Sequence, residues 1–545
     1  MALPILVILG FVLQPFNENW QHLLDNLLFE YISNSLLLML GVSIGVLSMG
    51  IITAWLTASC EFPGRAILSW TLLLPLAIPA YIVAYTYTGL LDFSGPVQGQ
   101  LRDWFDWGYG DYWFPEVRSL FGAVCMLSLV LYPYVYMMTR AAFLEQSVSV
   151  LEASRTLGDS PLKGFLGVAL PLARPAIITG VSLALMETLA DYGTVEYFGI
   201  STFTTGIFRT WYGLDDSVTS AQLASLLLTF VVALIVLERY SRREAKFHNL
   251  PSSGAGSQRF QLKGWGAFWA TVACSLPVIF GFIVPASQLL FWTITTADQS
   301  LDASFFKLAG NSLMLATIAA AVAVCLALLL SYAKRLLNTS QVKGAVLVAS
   351  MGYAIPGTVI AIGVMLPLAW FDNVLDQWLL STIGVSTGLL LSGTLFALVF
   401  AYTVRFLSVS IQAVDAGLSK IKPSMDEAGR SLGLSPLGVL KKIHFPIMKG
   451  TVLTALLLVF VDVLKELPAT LILRPFNFNT LAVRAYEMAS DERLADAGAP
   501  ALMIVLVGII PVILLSRSIA NSQVSAYTEV NMTTKSTTQP RASVS

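Results

Sequence analysis

From residue 36 to residue 58 the chain runs LLLMLGVSIGVLSMGIITAWLTA without one charged side chain, and apolar stretches of this kind recur along its whole length. In lipid no water is at hand to satisfy backbone amides, so such stretches must close their own hydrogen bonds as helices or pair within closed barrels. Roughly 20 apolar residues suffice for a helix to cross the hydrocarbon layer. With 56% hydrophobic and 12% charged residues over 545 positions, the apolar surface exceeds what one water-soluble core can hide. The fold class read from this is an all-α polytopic membrane protein. A net charge of -1 gives no argument for a nucleic-acid partner, because the basic residues are sorted by topology rather than gathered on one face.

The spans fall into two sets of six. The first set lies near residues 3–16, 36–58, 67–90, 120–138, 176–191 and 223–237, and the second near 268–292, 312–332, 345–370, 388–402, 452–473 and 501–515. Residues 3–16 are short for a span, yet no basic residue precedes them and no small-residue cleavage site follows, so they read as a first span rather than a signal sequence. Between the sets lies a polar, basic, Ser- and Gly-containing linker, and the end of the chain is polar and Ser/Thr-rich, as expected of a disordered tail without a role in transport. The division is therefore residues 1–240, linker 241–264, residues 265–516, and tail 517–545.

The two sets are copies. Asn34-Ser35-Leu36 recurs as Asn311-Ser312-Leu313 and Ile78-Pro79 as Ile355-Pro356, both 277 positions on. An even number of spans per copy leaves both facing the same way, a parallel repeat about an axis normal to the membrane. The closest internal match is SVLEASRTLGDSPLKGFLGVALP at 149–171 against SMDEAGRSLGLSPLGVLKKIHFP at 424–446, a spacing of 275. In each copy Ser-x-x-Glu has capping-box spacing (Ser149 with Glu152, Ser424 with Glu427). Gly158 and Gly433 then stand where a two-turn helix needs a left-handed residue. Ser160-Pro161 and Ser435-Pro436 restart a helix with a cap and a proline at its first position. Both copies thus encode helix, glycine turn, helix.

This doubled pattern resembles the EAA loop of inner-membrane permeases from binding-protein-dependent ABC importers. The departures are Ser154 against Gly429 in the third motif position, and Leu170 against Phe445 before the final proline. The resemblance implies a cytoplasmic loop whose short helix docks in a groove on an ATPase subunit. It gives coupling roles to Glu152, Ala153, Gly158, Glu427, Ala428 and Gly433, and implies two ATPase subunits per chain. Most of the 32 Lys and Arg fall on the side that this loop makes cytoplasmic, as the positive-inside rule requires.

Over roughly residues 20–516 the chain is similar to the fused, two-repeat permeases of ferric iron ABC importers, through LLLPLAIPAYIVAYTYTGLLDFSGPVQ, LYPYVYMMTRAAFLEQSVSVLEASRTLG and LMETLADYGTVEYFGISTFTTGIFRTW. That similarity implies about 12 transmembrane helices in two six-helix repeats of the type I importer kind. It further implies a bacterial inner-membrane location and ferric iron delivered by a periplasmic binding protein. Fused thiamine permeases share the architecture and the loop, and permeases for other small solutes such as oxyanions or polyamines stay open. Ion-coupled secondary transporters share internal repeats and buried carboxylates. No G-x-x-x-x-G-K-[ST] loop occurs, so the chain is read as no enzyme, with ATP and Mg bound by the partner subunits.

Glu187 and Asp191 lie four apart on one helical face of the fifth span, and Asp462 and Glu466 hold the equivalent places in the eleventh. Intramembrane carboxylates face a bundle interior or a water-filled path, so these four are the candidate lining of the route. For a ferric cargo, carboxylates supply the hard oxygen donors such an ion prefers, as transient lining rather than a stored metal site. Lys465 adjoins Glu466 but neighbours on a helix do not face each other, so a partner for Glu466 is expected elsewhere. Segments 192–220 and 467–495 follow these helices in register and are expected to face outward, either contacting a binding protein or closing the outer vestibule. Four cysteines without CxxC spacing and three isolated histidines suggest neither a disulfide framework, a metal site nor a hydrolase.

Overall fold

The computed structural model describes residues 2–108, 110–145, 161–243, 259–337 and 339–514. Among these, nine helices are long and apolar enough to cross a membrane, and the bent pair Arg65–Ala77 and Ala80–Phe105 makes a tenth. Gly498–Leu514 is a shorter apolar helix, and the first expected span is reduced to Leu3–Phe11. The protein is an almost wholly helical, polytopic membrane protein, with nine or ten helices of crossing length among the described residues where the hydropathy pattern predicts about twelve.

The first long helix, α1 (Leu28–Ser59), shows how lipid changes the meaning of an apolar face. Leu38, Val42 and Val46 are buried while Leu36, Leu37, Leu40 and Ile44 are exposed, so hydrophobicity does not tell inside from outside. Small residues do. Gly41, Gly45 and Gly50 admit α3 (Leu120–Glu145) so closely that a Cβ on Gly45 would lie 2.1 Å from Ser128 Oγ, and one on Gly50 2.7 Å from Val135 Cβ. Between these two helices Ala80–Leu91 forms α2. Helix association in lipid rests on such close approach rather than on a hydrophobic driving force. Gly45→Val is therefore expected to cost about 1–3 kcal/mol by overpacking. It should lower the thermal midpoint in detergent, whereas Gly310→Val, where an added Cβ meets nothing within 4 Å, should not.

Helices α1, α3 and α4 (Leu170–Ala190) pack as a trio, followed by α5 (Ser217–Arg243). The second copy repeats the trio with α6 (Ala303–Leu337), α8 (Leu395–Leu418) and α10 (Phe445–Leu464). Its remaining elements include α7 (Gly357–Ile383), α9 (Pro423–Ser431) and α11 (Leu481–Ser490). The copies interleave. Leu3–Phe11 lies across α7, where a Cβ on Gly363 would come 2.5 Å from Pro4 O. Conversely Phe280, in the leading span Trp265–Thr295 of the second copy, accepts a 2.6 Å hydrogen bond from Tyr87 Oη of the first. Both large buried clusters draw residues from both copies. Where the linker ends, Phe260 and Gln261 pair in parallel with Cys60 and Glu61, and Arg259 meets Glu61 at 3.4 Å.

Three expected spans are broken rather than continuous. Spans 67–90 and 345–370 stop at the tight turns Leu74–Ala77 and Gly352–Ala354, and α2 and α7 start after Pro79 and Pro356. A proline lacks the amide a helix interior needs and pushes the residue before it into extended geometry, as Ile78 and Ile355 adopt. The first break bends the chain by 92°. Span 452–473 likewise ends at Leu464 and resumes at Pro468–Leu473. All three interruptions contribute residues to one cavity.

Candidate translocation cavity and coupling loop

The loop at 424–446 folds as helix, glycine turn, helix. Helix α9 ends with Gly433 at φ 81°, the Gly433 amide on Arg430 O and the Leu434 amide on Gly429 O, the paired closure of a Schellman turn. Ser435 then caps Pro436–Val439, its Oγ accepting from the Gly438 amide. The expected capping box is absent here. Pro423, with its preset φ, starts α9 after Lys422, so Ser424 sits inside the first turn and its side chain caps nothing. Glu427 and Ala428 are exposed. Glu152, Ala153 and Gly158 of the other copy lie outside the described residues.

Behind the exposed face, Asp426 is buried and bonded to Arg335 Nε at 2.7 Å and His444 Nε2 at 2.5 Å. Arg335, in the last turn of α6, also donates to the carbonyls of Leu418 and Ile421, at the end of α8. Burial favours the neutral carboxyl, but Arg335 and His444 outweigh it and hold Asp426 below its ordinary 3.8. One carboxylate thereby ties α9 to α6, to the end of α8 and to the start of α10. Met425, Leu432 and Leu437 project from this rigid base as exposed apolar side chains, the kind of surface a partner covers.

The four predicted carboxylates meet. Glu187 and Asp191 at the end of α4, and Asp462 and Glu466 at the end of α10, line one cavity of about 120 Å³, together with Ile78, Pro79 and Tyr81 from the first break and Tyr134 and Tyr353. Their surroundings differ. Glu466 is paired with buried Arg405 at 2.9 Å, and Asp462 with Lys465 at 2.9 Å. Asp191 accepts from the Thr194 and Val195 amides and so caps Gly193–Tyr197. Glu187 has no hydrogen-bond or ion-pair partner among the described residues. Arg405 Nε and the Tyr81 hydroxyl have no protein partner there either, which leaves groups for a hydrated solute to meet.

Both cations of the cavity come from the second copy; the residues in register in the first are Val130 and Ala190. Gly357 makes room for the pair, since a Cβ there would lie 2.3 Å from Arg405 Nη1 and 2.4 Å from Glu466 Oε1. Arg405 is a site residue that repeat matching passes over because it has no counterpart. A lone charge in the apolar run AYTVRFLSVS was its signal. Tyr192 was missed too, and carried no signal of its own. It lines this cavity and also a larger basin beyond it, with its ring stacked on Phe208 at 3.8 Å and tilted against Tyr486 at 5.9 Å. Among the described residues, no three of His, Cys, Asp or Glu are grouped so as to hold a metal ion.

Residues 46–244 match the family described as the binding-protein-dependent transport system inner membrane component. The chain is 27% identical to the Fe(3+)-transport system permease protein FbpB 2 of Haemophilus influenzae, over 90% of this chain and 90% of that protein. With the ferric transport system permease protein FbpB of Actinobacillus pleuropneumoniae it shares 24% identity over 74% of its own length and 58% of the relative's. The molybdenum transport system permease protein ModB of Escherichia coli is 33% identical over 28% of this chain and 63% of its own.

Proposed function

We infer that this chain, an inner-membrane protein similar through residues 46–244 to the inner membrane component of binding-protein-dependent transport systems, is the fused permease of an ABC importer. In this reading residues 1–240 and 265–516 are two permease repeats joined by 241–264, and one chain supplies both halves of the translocation unit. The observation that carries it is the second coupling loop: a helix, a left-handed Gly433 and a capped restart, with apolar side chains outward and Asp426 bonded inward to Arg335 and His444. Such a unit passes the movement of a docked ATPase to the helices that end at the cavity. Two loops, at 149–171 and 424–446, call for two ATPase subunits, which bind ATP and Mg and do the hydrolysis. Their closure rocks the copies between outward and inward access.

The cargo in this reading is ferric iron released by a periplasmic binding protein, as the names of the Haemophilus and Actinobacillus relatives suggest. Glu187 is the carboxylate best placed to meet it, having no hydrogen-bond or ion-pair partner among the described residues, with Asp462 its register mate across the cavity. The molybdenum relative favours a second reading, an oxyanion cargo. Reconstituted with its ATPase in proteoliposomes, the chain should import the cargo whose loaded binding protein stimulates hydrolysis, and Glu187→Gln with Asp462→Asn should slow uptake on the order of tenfold, ~1.4 kcal/mol on the barrier. ATPase binding should stay unchanged. Undiminished uptake in the double variant would remove the carboxylates from the route, and failure of any ATPase to bind would remove the importer reading.

A further inference from the structure

Beyond Tyr192, on the side away from the coupling loop, lies a basin of about 820 Å³ formed by the outer end of α6, the chain from Leu471 to Asn479 and the first turns of α11. Its size is that of a small-molecule site. Its charge is one-sided: Lys307, Arg474 and Arg484 line it, with Asn311, Asn477 and Asn479 and the hydroxyl-bearing Tyr212 and Tyr486, and no carboxylate is among the lining residues. Arg474 is matched from behind by Glu487 at 2.9 Å. Lys307 and Arg484 have no carboxylate within ion-pair distance among the described residues.

The internal repeat shows that this is a departure rather than a general property of the fold. In the first copy Arg209, the register mate of Arg484, has Glu196 at 3.7 Å. The residue in register with Glu196 is Leu471, which lines the basin and offers no charge. Likewise the position of Lys307 is held in the first copy by Glu30. The same scaffold has thus been neutralised on one side and left cationic on the other, at the concave site adjoining the route. The Asn311 and Asn479 amides and the Tyr212 hydroxyl already donate to Asn479 O, Glu487 and Leu471 O, so the donors offered to an oxygen acceptor are those of Lys307 and Arg484, and charge-assisted bonds of that kind are the strong ones.

We propose that this basin binds a compact oxygen-rich anion, either a free tetrahedral oxyanion or a ferric ion already wrapped in an anionic chelator, before it passes Tyr192. Passage beyond Tyr192 rests on the permease reading; binding in the basin does not. A bare trivalent cation is repelled by such a basin, so a ferric ion is held there only within an anionic chelator, which it sheds before it meets Glu187.

The test is equilibrium binding of molybdate, sulfate and ferric citrate, each alone, to the full chain in lipid nanodiscs at low ionic strength. At least one should bind, and Arg484→Gln and Lys307→Gln should each weaken it about tenfold, the loss of one charge-assisted bond. Arg209→Gln, the neutralised mate, should leave the affinity as it was. Lys307 is exposed at the start of its helix, so its variant reports even where Arg484→Gln fails to fold. Preference for molybdate or sulfate assigns the free oxyanion, and preference for ferric citrate assigns the complex. Binding of none of the three, or equal loss in Arg209→Gln and Arg484→Gln, overturns the site. ATPase association measured on the same samples keeps that result apart from the permease reading, which stands if association is intact.

Discussion

Gly433→Val is expected to uncouple the second loop from its ATPase while leaving the membrane-embedded part folded. Gly433 holds φ at 81°, and a Cβ there would meet nothing within 4 Å, so the penalty is purely one of backbone conformation. For a β-branched residue it amounts to roughly 2 kcal/mol. The loop escapes the strain by opening the Schellman turn, which releases the Gly433 and Leu434 amides from Arg430 and Gly429 and swings Leu432 and Leu437 away from each other. Gly433→Asn should be close to wild type, because asparagine tolerates the left-handed region. Asp426→Ala should fail by another route, since it leaves half-buried Arg335 and buried His444 without their shared acceptor. The measurement is co-purification of the ATPase with each variant and ATP hydrolysis stimulated by the loaded binding protein. Wild-type association in both Gly433→Val and Asp426→Ala would mean that this loop does not dock.

The parts legible in the sequence are those written locally or written twice. Charge-free runs fixed the helices because lipid leaves the backbone no other choice, and the glycine turn and Ser435-Pro436 restart could be read from a few residues each. The offset of 275 brought Glu187 and Asp191 into register with Asp462 and Glu466, and the four do line one cavity. Three things were not legible. Ile78-Pro79 and Ile355-Pro356 were visible as repeats, but hydropathy averages over a break and so joined the pieces into spans. Ser-x-x-Glu spacing predicts the capping boxes, and in the described copy Pro423 competes for the helix start and wins. The crossing of each leading helix onto the opposite copy depends on backbone approaches such as Gly363 to Pro4, between residues far apart in the chain and without any shared pattern. Asymmetry between the copies leaves no repeated pattern to read. A search for what the copies share cannot find Arg405, Lys307 or Arg484 in its unpaired state, because the chemistry there lies in what they do not share.

Arg405→Met is expected to destabilise the protein by about 3–5 kcal/mol, the cost of leaving one charge of a buried pair unmatched. Arg405 and Glu466 are 2.9 Å apart, with side chains only 9% and 2% exposed. Glu466 also accepts from the Ala469 amide at 3.1 Å, so it helps to start the helix after the break as well as to balance the arginine. Adding Glu466→Gln should restore most of the loss. Glutamine keeps an oxygen for the Ala469 amide, no net charge remains, and methionine fills the arginine's volume with apolar atoms. Thermal unfolding of the two single variants and the double variant in the same detergent separates the terms, since only a direct pair gives a double variant more stable than either single one. Uptake by the double variant then decides what Glu466 is for. Retained uptake makes the pair a strut that keeps the ends of α8 and α10 together, and leaves Glu187 as the carboxylate the cargo meets. Lost uptake in a double variant of wild-type stability would put Glu466 itself on the route, with Arg405 as the cation that the cargo displaces from it.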